Sequence, residues 1–454
     1  MKTIDFIVFI IYFAALISVG IIGVLKAKSS EKYMVADRNL GLWMLFGCLT
    51  AVFLGGSSTI GTSQLGYEIG LSGFWFVFSL GVGITIFGLF LLDRIMDLQV
   101  ITISELLYRL FGHRVRVMGA VVTAMYTLMI CVTQVIAMGA VVSQIFHWPM
   151  MTAILVGGSI VFVYTILGGM WTLSITDVIQ FLVMTIGIFC IMLPMSLHSV
   201  GGLTTLIEQL PASHLSFFNI GVGEIVNYFV TYTLGVMVGQ DIWQRFFTGK
   251  TKRISKTSGV LVGFYSGLYS IVMVIVGMCA YVLFPNIQNT QNVFAHMAFE
   301  ILPNGLLGIV FAALIAAIMS TASGTLLASA TIISNDLLKP YMEDHQFLGL
   351  TRLTTCILAV IAIVISIWVK EVLVAIDIAY AILTGGIFMP VVLGLFMKRI
   401  TPQAAFYAII ASVIVIFIGI AITGPQSTAT IFYAILVNAI ILIIMSQFQR
   451  KKEA

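Results

Sequence analysis

Charge is what this chain lacks. Lys, Arg, Asp and Glu together make up only 9% of its 454 residues, whereas 60% are hydrophobic. A soluble domain carries about 25% charged residues. The composition therefore predicts an integral membrane protein. The net charge of +4 does not indicate nucleic-acid binding, because the basic residues lie in short loops.

Cysteine is also scarce, and motifs typical of enzymes are missing. The five cysteines all lie in apolar segments and lack metal-ligand spacing, so we interpret them as packing residues. No zinc-protease motif, nucleophile elbow or phosphate-binding loop is found. The sequence therefore predicts that the chain is not an enzyme. A channel is disfavoured too, since a channel needs a continuous polar pore and polar residues here concentrate at a few points.

Long apolar runs fill the rest of the sequence. A helix crosses a bilayer in about 20 apolar residues, and by that measure the sequence predicts thirteen membrane spans. They lie near residues 4–25, 42–68, 71–96, 118–146, 149–167, 174–195, 222–247, 257–284, 305–335, 348–368, 371–397, 402–422 and 428–447.

The basic residues are distributed unequally between the two sides of the predicted membrane. Of the 22 Lys and Arg residues, all except Lys2 and Lys370 fall on one side. Because positive charge favours the cytoplasmic side, we expect a plasma-membrane protein with its N-terminus outside and its C-terminus in the cytoplasm.

The segment Ala51–Thr62 interrupts the second apolar run with glycines, serines and threonines. Its sequence is AVFLGGSSTIGT. Lipid cannot hydrogen-bond free backbone groups, so a broken helix at membrane depth must line a protein cavity. Secondary transporters hold substrate and coupling ions at such breaks.

The seventh span is interrupted similarly, by Gly235 and Gly239. It would run in the opposite direction, because five spans separate the starts of the two broken segments. This arrangement predicts an inverted repeat within a single transporter domain. The first repeat would cover 42–195 and the second 222–397. One extra helix, 4–25, would precede them, and two would follow within 402–447. Close helix packing is the alternative explanation for the two glycines.

The ninth span carries a cluster of hydroxyl residues between Ser320 and Thr325. Sodium prefers oxygen ligands, and hydroxyls together with the freed carbonyls of a broken helix supply them without a full buried charge. Alternatively, such hydroxyls bond back to their own helix. Together with the break in the second span, the cluster favours a sodium site.

These segments resemble the sodium:solute symporter family over nearly the whole chain. The resemblance rests on AVFLGGSSTIGT, GGMWTLSITDVIQ at 168–180, QDIWQR at 240–245 and AAIMSTASGTLLASATIISNDL at 316–337. It implies an all-α integral membrane protein with a LeuT-type 5+5 inverted repeat and about thirteen transmembrane helices.

The resemblance also implies ligands for sodium (Na+), the coupling ion. They would be the backbone carbonyls of Ala51, Leu54 and Ala317 and the hydroxyls of Ser320 and Thr321. Some members hold a second sodium, for which Asp177 and Ser323 match. Gly324 stands where those members have a hydroxyl, and Asp177 is alternatively a structural or gating charge.

Parts of the sequence resemble the choline-transporter branch of the family. The pattern of residues 51–62, an aromatic residue beside the break and the segment 376–380 carry that likeness. Gly239 replaces a tryptophan of that branch, and two other tryptophans are candidates to replace it. The predicted substrate-binding residues are Phe53, Ser57, Ser58, Trp75, Gln240, Trp243, Asp377 and Tyr380.

Charged residues are costly inside membrane spans, so those that occur there are candidates for functional roles. Asp377 would attract a cationic substrate, with aromatic rings supplying cation–π contacts; alternatively it is solvated at the outer interface. Asp241 and Arg245, four residues apart, are expected to pair along one helix face.

We expect a sodium-coupled symporter that imports a small polar organic solute across the lipid bilayer, with preference for a choline- or amine-like cation. A sodium- or proton-coupled symporter of an amino acid or small carboxylate is the alternative. The sequence indicates no oligomeric state.

Overall fold

The chain is helical throughout the residues that the structure describes. The structure is a computed structural model, and it describes residues 1–26, 38–167, 170–339, 347–397, 399–425 and 428–453. Within these ranges no strand forms, and Leu40 and Gly249 make one isolated parallel bridge. Helices satisfy their backbone groups internally, as a bilayer requires. The all-α prediction is confirmed. Gly168 and Gly169 of the second family motif lie outside the described residues.

The first half of the chain contains α1 to α11. They are α1 (Thr3–Lys26), α2 (Leu42–Phe53), α3 (Thr62–Ile69), α4 (Phe74–Ile86), α5 (Leu92–Asp97), α6 (Ile103–Phe111), α7 (His113–Phe146), α8 (Met150–Leu167), α9 (Met170–Thr185), α10 (Leu193–Val200) and α11 (Leu203–Gln209). Wider π-helical turns directly precede α3, α5 and α10, at Ser57–Gly61, Phe87–Leu91 and Ile186–Met192. A 3₁₀ turn at Gly70–Gly73 precedes α4.

The second half contains α12 to α22. They are α12 (Gly221–Tyr228), α13 (Leu234–Val236), α14 (Gln240–Phe246), α15 (Lys252–Leu283), α16 (Val293–Ile301), α17 (Leu306–Ile332), α18 (Phe347–Val369), α19 (Val372–Leu383), α20 (Met389–Phe396), α21 (Pro402–Thr423) and α22 (Thr428–Glu453). Further π turns lie at Phe229–Thr233, Ile333–Leu338 and Thr384–Phe388, and a 3₁₀ turn at Thr290–Asn292.

Nine helical stretches among the described residues are long and apolar enough to cross a membrane, or ten with the bent pair α12–α13 and α14. This confirms a multi-pass membrane protein. Three shorter apolar helices account for other predicted spans: Thr3–Val19, Leu42–Phe53 and Met150–Val163. The count of thirteen, the repeat boundaries and the orientation of the termini stay predictions.

Both predicted breaks exist. The second span is interrupted at Leu54 and Gly55, one residue before the predicted Gly55–Gly56. The seventh span is interrupted between Val236 and Gln240, where its two halves bend by 53°.

Two long helices form the centre of the molecule. The apolar stretches of α17 and α7 are 89% and 78% buried inside the protein, whereas the apolar stretch of α21 is 28% buried. Helices α17 and α7 pack along each other, and α2 and α9 pack against α17. The hydroxyl cluster therefore lies at the centre of the protein, beside the broken second span.

The broken second span also packs closely on α15. A Cβ atom at Gly277 would lie 2.1 Å from the Ser63 carbonyl oxygen and 2.7 Å from the Tyr67 amide nitrogen. Only glycine fits there, because backbone atoms cannot move aside without shifting a helix.

We expect Gly277→Ala to destabilise the protein by about 2 kcal/mol or more, as overpacking of a tight interface does. Thermal unfolding in detergent measures this. Gly267→Ala is the matched control on the same helix, since its Cβ would lie 3.5 Å from Phe78, an ordinary contact. Equal unfolding temperatures for the two variants would contradict the packing described.

Candidate functional site

Hydroxyl groups of α17 reach the carbonyls at the end of α2. Ser320 Oγ donates to the Ala51 carbonyl at 2.7 Å and to the Ala317 carbonyl at 3.0 Å. Thr321 Oγ1 donates to the Val52 carbonyl at 2.8 Å and lies 3.2 Å from the Ala317 carbonyl. Both side chains are buried. Five oxygen atoms thus meet where the helix breaks.

Four of the five predicted sodium-binding residues are brought together by these contacts. The fifth, Leu54, is the first residue of the break, with φ −97° and ψ 72°. Carbonyl and hydroxyl oxygens are what an alkali cation site needs, and rotation of the hydroxyl protons would free the oxygen lone pairs. The sequence did not indicate the Val52 carbonyl, because nothing in the pattern shows which carbonyl Thr321 reaches. The sodium role of this set stays a prediction.

The break itself depends on a close approach of three elements. A Cβ atom at Gly55 would lie 2.4 Å from Thr321 Oγ1 on α17 and 2.8 Å from Gln134 Oε1 on α7. Any side chain at Gly55 would therefore push the Thr321 and Gln134 side chains away from the break.

Gln134 is a site residue that the sequence analysis missed. Its Oε1 accepts the Gly56 N–H at 2.7 Å, and its side chain is fully buried. Since a backbone N–H can only donate, the amide orientation is determined, and no acceptor among the described residues meets the buried Nε2. A glutamine within an otherwise apolar helix was the available signal.

At the second break, too, a side chain bonds a backbone group that has left the helix. Trp243 Nε1 donates to the Met237 carbonyl at 2.9 Å, and its ring stacks on Phe87 with centroids 5.4 Å apart. The indole thus satisfies a carbonyl freed between α13 and α14. In this position Trp243 stabilises the break, and its role as a substrate ligand stays a prediction.

The residues predicted for a second sodium take part in other contacts. Asp177 Oδ2 accepts from Arg245 Nη2 at 3.1 Å, and both side chains are fully buried. Cys48 Sγ lies 3.4 Å from the same oxygen, and Ser323 Oγ donates to the Ser320 carbonyl at 3.1 Å. The guanidinium group therefore pairs with one oxygen of Asp177, while the other, Oδ1, has no hydrogen-bond partner among the described residues. The second sodium site stays a prediction.

The predicted partner of Arg245 was wrong. The sequence placed an ion pair with Asp241 along one helix, whereas the pair that forms joins α14 to α9 through Asp177. A Cβ at Gly324 would lie 3.1 Å from Arg245 Nη2. The absence of a side chain at Gly324 gives the long arginine side chain room to reach across.

A cavity of about 970 Å³ opens at the end of the molecule that carries Lys370. Its lining contains four carboxylates and one lysine, so it is acidic: Glu68, Glu224, Glu371, Asp377 and Lys370. Asp377 lies six residues after Glu371, on α19, and accepts a hydrogen bond from the Tyr232 hydroxyl. Asp377 is therefore reached from the cavity.

Aromatic rings surround Tyr232, the hydrogen-bond donor to Asp377. The Tyr232 ring lies 5.0 Å from Phe76, 5.8 Å from Tyr228 and 5.2 Å from Tyr380, centroid to centroid. Phe76, Tyr228 and Tyr232 line the cavity, and Tyr380 lies behind Tyr232. Tyr228 and Tyr232 are two further residues that the sequence analysis missed.

Other predicted substrate residues lie elsewhere. Phe53, Ser57 and Ser58 are buried at the break, outside the cavity lining as far as the described residues extend. Trp75 Nε1 donates to the Phe217 carbonyl at 2.7 Å, in a separate aromatic group. Gln240 bonds the backbone at the start of α6, where its side-chain oxygen accepts from Ile103 N at 2.8 Å. The structure thus brings only Asp377 and Tyr380 of this set to the cavity and its wall.

Comparisons with known proteins agree with this geometry. Residues 33–412 match the model of the sodium:solute symporter family. The chain is 26% identical to a sodium/glucose cotransporter of Vibrio parahaemolyticus, over 90% of this chain and 84% of that protein. It is 25% identical to a sodium/proline symporter of Haemophilus influenzae, over 90% of this chain and 87% of that protein.

The fold matches a solved structure of the substrate-bound outward-open state of a Na+-coupled sialic acid symporter. The TM-score is 0.85 at 18% identity, and 98% of each chain is covered. This likeness confirms the predicted LeuT-type architecture.

We expect Gln134→Leu to lower stability by about 1–3 kcal/mol, because the Gly56 N–H would remain buried without an acceptor. Gln134→Glu keeps an acceptor for the Gly56 N–H and should lower the stability less. Thermal unfolding of the purified protein measures both. Thr133→Ala is the control, since the Thr133 hydroxyl bonds its own helix, at the Met129 carbonyl. A loss from Thr133→Ala equal to that from Gln134→Leu would contradict this assignment.

Proposed function

Because this chain belongs to the sodium:solute symporter family, we propose that it couples the import of a small organic cation to the entry of sodium. The observation that carries the choice of a cation is Asp377, a carboxylate among aromatic rings in an acidic cavity. We further propose that the protein lies in the plasma membrane with its cavity facing outward.

The oxygen cluster between α2 and α17 supports a sodium site. Ser320 and Thr321 lie against the carbonyls of Ala51 and Val52, where the helix no longer uses them. None of these groups carries a full charge, so their burial costs less than that of a carboxylate. A bound cation would hold the broken span against α17.

The surroundings of Asp377 support a cationic substrate. Asp377 is a half-buried carboxylate, and the Tyr232 hydroxyl offsets the cost of its desolvation only in part. A cation would supply the missing charge. The half-buried ring of Tyr228 in the cavity lining suits an ammonium group, since a cation–π contact contributes about 0.5–2 kcal/mol. The acidic lining would also raise the local concentration of cations.

Coupling requires that sodium bind the two states of the transporter unequally. The proposed sodium oxygens lie on α2, which ends at the break, and on the central helix α17. Any motion of α2 relative to α17 separates Ser320 from the Ala51 carbonyl. Sodium would therefore favour the state in which these elements meet and the outer cavity is open.

An amino acid is the second candidate substrate. Its ammonium group would suit Asp377 as that of a simple cation does. The sodium/proline symporter among the relatives transports a molecule of this kind.

We expect sodium to raise the unfolding temperature of the purified protein, whereas potassium raises it less. Sodium at 100 times its dissociation constant stabilises by about 2.7 kcal/mol. Ser320→Ala and Thr321→Ala should each reduce this response, because each removes an oxygen ligand.

Thr325→Ala is the matched control for this prediction. Thr325 lies one turn further along α17, and its hydroxyl bonds the Thr321 carbonyl of its own helix at 2.8 Å. Its sodium response should equal that of the unchanged protein. A normal response in both Ser320→Ala and Thr321→Ala would exclude this sodium site.

We expect Asp377→Asn to abolish sodium-driven uptake of the transported cation into proteoliposomes. Loss of a buried charge partner costs about 2–5 kcal/mol, which is roughly 30-fold or more in affinity. Choline, primary amines and amino acids form the starting panel of radiolabelled substrates.

Glu371→Gln is the control, because it removes a carboxylate from the exposed part of the same cavity. It should change uptake only modestly. If Asp377→Asn transports a cationic substrate as well as the unchanged protein does, the proposed role of Asp377 is wrong.

A further inference from the structure

The helix that carries Asp377 is interrupted one turn beyond Tyr380. The π turn Thr384–Phe388 separates α19 from α20, and it contains Gly385 and Gly386. Pro390 follows at the start of α20. Proline has no N–H, so the carbonyl of Gly386, four residues earlier, loses its usual helical donor.

Asn438 of α22 satisfies the carbonyls of this turn. Its Nδ2 lies 3.1 Å from the Gly385 carbonyl and 3.1 Å from the Gly386 carbonyl. It also lies 2.9 Å from Ser412 Oγ on α21. Asn438 is fully buried. No water reaches such carbonyls within a bilayer, so a side chain from a neighbouring helix has to supply the donor.

The same turn is enclosed by α21 and α22. A Cβ atom at Gly385 would lie 2.8 Å from Ile416 Cδ1 on α21 and 2.9 Å from Ala434 Cβ on α22. The two glycines thus weaken the helix and admit the neighbouring helices, while the proline removes a hydrogen bond. A helix with these features bends at this point unless something holds it.

We propose that α21 and α22 clamp this turn, and that Asn438 is a positioning residue that sets the angle of α19 relative to α20. The clamp stands on these contacts alone. Its consequence for substrate binding, through Asp377 and Tyr380 on α19, rests on the proposed function.

The size of the effect follows from the length of α19. This helix has 12 residues, which at 1.5 Å per residue span about 18 Å. A change of about 20° at a kink would therefore move the far end of α19 by about 6 Å. Distances between spin labels detect such a shift.

The test places spin labels at Glu371→Cys, at the far end of α19, and at Ile422→Cys, on α21. The protein's own cysteines are replaced by alanine, and the measurement is made in lipid nanodiscs. The unchanged Asn438 should give one narrow distance distribution. Asn438→Leu and Asn438→Ala, neither of which keeps a side-chain donor, should shift or broaden it by about 6 Å.

Two further variants separate positioning from general stability. Asn438→Gln keeps an amide donor and should restore at least part of the narrow distribution. Pro390→Ala returns an N–H to the Gly386 carbonyl, so Asn438→Leu should perturb the distance less in the Pro390→Ala background than alone. Such non-additivity is the signature of a shared partner. Ser412→Ala, which leaves both carbonyl bonds, should have little effect.

An unchanged distance in both Asn438→Leu and Asn438→Ala would overturn the proposal. So would equal perturbation by Asn438→Leu with and without Pro390→Ala. If Asn438→Leu does not fold, Asn438→Ala with and without Pro390→Ala decides the question. None of these outcomes depends on Asp377, so failure of the clamp is distinguishable from failure of the proposed substrate site.

Discussion

Backbone groups that leave a helix inside a membrane have no water to bond, and the functional parts of this structure depend on how that need is met. At the first break, Gln134 accepts the Gly56 N–H, and Ser320 and Thr321 lie on the carbonyls of Ala51 and Val52. At the second, the Trp243 indole donates to the Met237 carbonyl. At the third interruption, Asn438 donates to two carbonyls. The first and third interruptions are held by polar side chains of other spans, and the second by a side chain of its own span.

These partners also explain how breaks can serve transport. A carbonyl held by a hydroxyl can exchange that hydrogen bond for a cation at little cost, whereas one held by the helix ladder cannot. The partners of the first break lie on α7 and α17, the most buried spans. The parts that would move are thus positioned against the packed centre formed by α7 and α17. The third interruption is held from outside that centre, by α22.

Charge is used differently at Asp177 and at Asp377. Asp177 and Arg245 neutralise each other away from the cavity, and they join α9 to α14. Asp377 faces an acidic cavity with a tyrosine hydroxyl as its hydrogen-bond donor. A paired charge of the first kind stabilises an arrangement of helices, while a charge of the second kind remains available to a ligand. This difference is why the proposed cation site lies at Asp377 and not at Asp177.

The sequence by itself determined the all-helical membrane fold, because few charges and long apolar runs leave no other way to satisfy the backbone in lipid. It also located both breaks to within a residue or two, since glycines and hydroxyls interrupt otherwise apolar spans. Only the tertiary structure decided the partners. Arg245 reaches Asp177 because Gly324 leaves room, and Trp75 and Gln240 bond backbone groups far away in the chain. Such contacts depend on how helices far apart in the chain pack, which local pattern and spacing do not contain.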